Sequence, residues 1–99
     1  MTDLPLLVSA EAKADIASVA EEYGEVASEL EEAFRYAIDT CFEAIRQRPL
    51  SYPIIYKTHR RAMLRKFPYF ILFTVFDETV VVFGCFHMRR DPAAWKSRV

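Results

Sequence analysis

His87 ends an apolar run and is followed directly by Met88-Arg89-Arg90-Asp91. An imidazole beside two guanidiniums has the parts of an acid–base group at a phosphate, with arginine steadying the developing charge. The same spacing suits a histidine that closes its strand by hydrogen-bonding the next turn, and spacing alone favours that second reading. Arg60, Arg61, Arg65 and Lys66 form a second basic cluster, with His59, readable as a loop residue without a role, at its start. Phosphate binding fits it. So does a charged strand edge that resists aggregation, and so does an anchor for an acidic peptide. Trp95 can stack a base, but a lone Trp in a terminal turn more often pins that turn to the core. Asp91, directly before Pro92, reads as a helix cap.

Cys41 and Cys85 lie in apolar surroundings, and no CxxC or Cys/His metal spacing occurs. Two buried reduced thiols are expected, a structural disulfide being the lesser alternative. No metal and no cofactor is implied.

These residues sit on a chain of 99 residues and 11.5 kDa, read as a single domain over 1–99. Apolar residues make up 53%, with two Gly and five Pro, which excludes disordered, collagenous and low-complexity classes. The longest apolar-rich runs, 67–76 and 79–88, are about half of what a membrane-spanning helix needs. The Met-Thr-Asp-Leu-Pro start has no basic region or export signal, so a cytoplasmic protein is expected. Charge is divided. Residues 1–45 carry 2 basic against 11 acidic side chains, net −9; residues 46–99 carry 11 against 3, net +8. The second half either presents a cationic surface to an anionic partner or is neutralised by the first half across the fold, and the size of the split favours a partner.

The elements that position these groups follow from periodicity. Residues 4–8 read as a strand. Ser9 reads as an N-cap, and Ile16, Val19, Ala20 and Tyr23 as one helical stripe ending at Gly24. A longer helix over 25–47 carries Ala27, Leu30, Phe34, Ala37, Ile38, Cys41 and Ile45 on one face and an acidic outside. Pro49 and Pro53 end the helical half. Short strands are expected near 54–57 and 60–66. Longer ones span 69–76 and 79–87, joined by a tight Asp77-Glu78 turn. Strict alternation places Val81, Phe83, Cys85 and His87 on one face, Gly84 marking a bulge or a close approach. The result is a two-layer α+β domain: a helical hairpin on one face of a mainly antiparallel sheet, the other face left uncovered.

In order along the chain, four segments resemble ParE/RelE-type toxins of bacterial type II toxin–antitoxin modules: Ser9-Ala10-Glu11-Ala12 with Asp15-Ile16; Pro49-Leu50-Ser51-Tyr52-Pro53; Arg60-Arg61-Ala62-Met63-Leu64 with Phe67-Pro68-Tyr69; and His87-Met88-Arg89-Arg90-Asp91-Pro92 with Trp95. The resemblance implies a β-α-α-β-β-β fold with the first strand beside the last, and a cytoplasmic toxin neutralised by a cognate antitoxin. ParE-like members act on DNA gyrase and are not enzymes; RelE-like members cut mRNA, usually in the ribosome. A ribonuclease would use His87 as acid/base and Arg61, Arg65 and Arg89 on phosphate. A gyrase poison would use Arg61, Arg65, Arg89 and Arg90 for antitoxin or target contacts. The pI near 6.1, and a tail without a further His or Tyr, depart from the RNA-cutting pattern and favour the ParE-like reading.

Overall fold

The computed structural model describes residues 3–99. Met1 and Thr2, which open the N-terminus read above for an export signal, lie outside the described residues. The order is β1 (Leu6–Val8), α1 (Ala10–Val26), α2 (Ser28–Gln47), a 3₁₀ turn (Pro49–Ser51), β2 (Ile54–Tyr56), β3 (His59–Met63), β4 (Tyr69–Phe76), β5 (Thr79–His87) and α3 (Pro92–Lys96). The strands form one sheet, β1-β5-β4-β3-β2, with β1 parallel to β5 and the other pairs antiparallel. The expected α+β class is the one adopted, with the first strand beside the last. The short β2 brings the strand count to five.

Ser9 caps α1: its Oγ accepts from the Ala12 N–H at 3.1 Å, satisfying a backbone donor that the first turn leaves free. The helix does not stop at Gly24. It runs to Val26, and the break falls at Ala27, whose extended backbone ends α1 and opens α2. Gly24 lies inside α1 facing the Glu31 side chain, whose carboxylate end is the first group a Cβ there would meet.

Phe34, Ile38, Cys41 and Ile45 of α2 are buried with Ala12 and Ala20 of α1 against Ala62, Ile71, Phe73, Val80, Val82 and Cys85 of the sheet. Phe34 lies edge-on to Phe67 and Tyr69, with ring centroids 5.4 and 5.9 Å away. Leu30, expected on the same stripe, is exposed at the rim of a groove described below. Asp77 and Glu78 both adopt left-handed backbone, φ 52° and 56°, so the β4–β5 hairpin turns in the primed sense without glycine.

The second face of the sheet is not left uncovered, as the pattern had implied. The five-residue α3 packs there, burying Trp95 with Phe70, Leu72 and Phe86. Asp91 caps it, Oδ1 accepting from the Ala93 N–H at 2.9 Å. A helix this short shows no periodicity, so its packing face was illegible in the sequence. Trp95 pins the terminal turn, as its position implied.

Replacing Phe34 with Ala should cost about 3–5 kcal/mol, because its wholly buried ring bridges both helices and the sheet. Urea unfolding of the variant should show the loss; a midpoint equal to wild type would place Phe34 outside the core.

Candidate functional site

The last strand sets the geometry. In the β4–β5 ladder Phe73 faces Val82 and Leu72 faces Gly84, so Phe83 is an extra, bulged residue. The bulge inverts the alternation beyond it. Val80, Val82, Cys85 and His87 face the helices, while Val81, Phe83, Gly84 and Phe86 face the other side. The strictly alternating set Val81-Phe83-Cys85-His87 is therefore corrected, because one inserted residue shifts every later side chain to the opposite face.

β1 reaches only Val80–Val82, so the edge of β5 beyond it needs other partners. Asp15 and Arg98 supply them. The Cys85 N–H donates to Asp15 Oδ2 at 3.1 Å, and Arg98 Nη1 donates to the Phe83 carbonyl at 2.9 Å and to Asp15 Oδ2 at 3.0 Å. The Arg98 guanidinium also lies 4.9 Å from the Phe86 ring centre. Gly84 is required here: a Cβ would strike the buried Phe86 ring and come within 3.0 Å of Arg98 Nη1.

His87 pairs with Tyr69 on the helical side of the sheet, ring centroids 5.1 Å apart. Its Nδ1 accepts from the Arg89 N–H at 3.0 Å, closing the turn after the strand. Arg61 pairs with Leu72 and so projects from the opposite face. The structure thus separates His87 from Arg61. Arg65 and Lys66 lie beyond the end of β3 in the β3–β4 connection, rather than within a strand 60–66. Arg89 is exposed in the terminal turn, and Arg90 sits 5.9 Å from the Phe86 ring centre. Arg60 leaves the basic cluster: its Nη1 donates to the Tyr52 and Leu50 carbonyls at 2.6 and 3.3 Å, stapling the connector before β2. Among the described residues, ion pairs join the acidic and basic halves only at Arg46–Glu43 and Arg98–Asp15, leaving Arg61, Arg65, Lys66, Arg89 and Arg90 unpaired.

A groove of about 800 Å³ runs between α2 and the β3–β4 connection. Ala33, Ala37, Cys41 and Ala44 form its helical wall, Met63 and Phe67 its other side, and Arg65 and Lys66 its cationic rim. The sequence reading missed it. Its signal was the small residues on the flank of α2, which leave room beside the helix. Burial pushes the Cys41 thiol up to about 12, and that of Cys85 likewise, where Asp15 adds to the shift, so neither is a nucleophile at neutral pH. Among the described residues no three His, Cys, Asp or Glu side chains are placed to hold a metal, and no helix is long and apolar enough to cross a membrane.

His59 begins β3 and packs edge-on to Phe83 at the bulge, centroids 4.8 Å apart. Its Nδ1 is buried without a hydrogen-bond partner. Burial lowers its pKa from the ordinary imidazole value, against a raising contribution from the Tyr56 backbone, and Lys57 adds to the lowering.

No family model and no curated protein matches the sequence. Solved structures do match its fold. A chain of the chromosomal ParDE TA system from P. aeruginosa superposes with a TM-score of 0.75 at 16% identity, over 85% of this chain and 95% of that one. A chain of the RelBE2 toxin–antitoxin complex from Mycobacterium tuberculosis gives a TM-score of 0.62 at 16% identity, over 87% of this chain and 99% of that one.

The His59 environment predicts a sign for the pH dependence of stability. The unfolded chain takes up a proton near pH 6.5 and the folded chain only at lower pH, so His59 lowers stability as pH falls below about 6.5. His59→Phe should flatten that loss between pH 7.5 and 5.5 in urea melts. An unchanged slope would mean that the imidazole is protonated freely in the folded state.

Proposed function

We propose that this chain is the toxin half of a type II toxin–antitoxin pair, ParE-like in kind, acting in the cytoplasm and neutralised by a cognate antitoxin. The observation that carries the reading is the apolar groove beside α2 with unpaired Arg65 and Lys66 at its rim. An antitoxin segment with apolar anchors and acidic flanks complements it in shape and charge. Arg61 and Arg89 extend the cationic surface. The fold shared with chains of two toxin–antitoxin assemblies supports the same reading.

DNA gyrase is the proposed target. The alternative, a RelE-like mRNA endoribonuclease, needs an acid–base group facing phosphate-binding arginines. Here His87 and Arg61 leave the sheet on opposite faces. That separation favours a protein that works by binding.

Two outcomes follow. Growth arrest should persist in His87→Ala and weaken in Arg89→Ala/Arg90→Ala, with circular dichroism confirming folding. A folded His87→Ala chain that no longer arrests growth would transfer the assignment to the ribonuclease, whose acid–base group contributes about 10²–10⁴ in rate. Antitoxin affinity, measured by calorimetry, should weaken between low and high salt as the +8 half is screened. An unchanged constant would mean that the groove binds through apolar contact alone.

A further inference from the structure

The short α3 covers one end of its sheet face and leaves the other end bare. Along β4 that face carries Phe70, Leu72, Thr74 and Phe76. Phe70 and Leu72 are buried with Trp95, Thr74 is half-buried, and Phe76 is 73% exposed beside the hairpin. Next to Thr74 stands Val81, and next to Val81 stands Leu7, 62% exposed. Leu6, Val8 and Val75 pack on the helical side, so strand alternation puts Leu7, Thr74 and Phe76 on the far face. Leu7, Val81, Thr74 and Phe76 form an uncharged surface that α3 does not reach. The face is also stepped. α3 raises its own end by about one helix diameter, roughly 10 Å. That raised end is cationic: Arg90 lies 5.9 Å from the Phe86 ring centre, and Lys96 lies 5.2 and 5.7 Å from those of Tyr56 and Trp95. The low end finishes in the exposed Asp77 and Glu78, without an ion pair among the described residues. Lys57, also near the low end, is turned aside onto the Tyr56 ring at 5.2 Å.

We propose that this half-bare face joins two copies of the chain in a twofold dimer. A twofold axis normal to the sheet reverses the strands, so the raised cationic end of one copy settles over the low acidic end of the other. Shape and charge are then matched by one operation. Each α3 fills the step beside the other, and each Asp77-Glu78 turn meets cations. Phe76 and Leu7 pack against the exposed Pro92 and Ala93 flank of the other copy's α3, and Glu78 faces the other copy's Lys96. A bare apolar face of this kind is what a monomer rarely keeps. The dimer stands apart from the toxin reading and does not use the groove beside α2.

Sedimentation equilibrium on the full chain should give twice the 11.5 kDa chain mass. Phe76→Ser should weaken association about a hundredfold, because each ring counts twice in a twofold interface. Glu78→Lys and Lys96→Glu should each weaken it as well. An equimolar mixture of those two variants should recover dimers, since both contacts again join an ammonium to a carboxylate. If Phe76→Ser fails to fold by circular dichroism, the charge-exchanged pair decides. A wild-type chain still monomeric at about 1 mM overturns the dimer, and protection of the Phe76 amide only when antitoxin is added gives the face to that partner instead. A dimer whose constant is unmoved by Phe76→Ser uses another surface, and a mixture no tighter than its components overturns the twofold arrangement.

Discussion

The bulge at Phe83 and the Asp15–Arg98 pair that seals it hold the rest of the structure in place. A bulge leaves backbone groups pointing at the strand's edge, and in β5 that edge runs past the end of a three-residue β1. Unpaired, those groups would cost free energy. Asp15 comes from the first helix and Arg98 from the last residues of the tail, so one cluster joins α1, β5 and the C-terminal segment. Through it α3 is held on the face of the sheet opposite the hairpin. The same insertion decides which way His87 points, and hence which chemistry the C-terminal end can do.

The molecule is consequently built in unequal layers. The helical hairpin supplies a broad cover on one side, where Phe34 meets Tyr23, Phe67 and Tyr69. On the other side a single Trp with a five-residue helix covers Phe70, Leu72 and Phe86. Between the two layers a margin stays accessible. There β2 turns away at Pro53, α2 presents small side chains, and the β3–β4 connection raises two cations.

Charge follows the same plan. The acidic residues of the first half crowd the solvent side of the hairpin, and the basic residues of the second half line the sheet margin and the tail. Two ion pairs bridge the halves among the described residues, and one of them, Arg98–Asp15, is already committed to the bulge. The remaining arginines of the margin and tail therefore carry charge without an ion-pair partner among the described residues, and the acidic hairpin sets an opposite potential on its own side.

The elements themselves were legible in the sequence because they rest on local signals. Ser9 capped its helix, the two long β-branched and aromatic runs became β4 and β5, Trp95 pinned its turn, and Asp91 capped α3. What failed was decided by contacts distant in sequence. Gly24 looked like a helix stop, yet the break falls at Ala27, whose extended backbone ends one helix and opens the next. Gly84 announced a bulge or close approach, but its register with β4 was set only when Phe73 met Val82. That register turned Cys85 and His87 toward the helices and parted His87 from Arg61. The groove, too, lies between residues some 20 to 30 apart in the chain, Ala37 and Cys41 across from Met63 and Phe67. Local spacing specifies propensity and amphipathic period. Which face a residue finally occupies depends on one inserted residue, and only the packed tertiary structure, by satisfying its stranded backbone groups with Asp15 and Arg98, fixes where that residue goes.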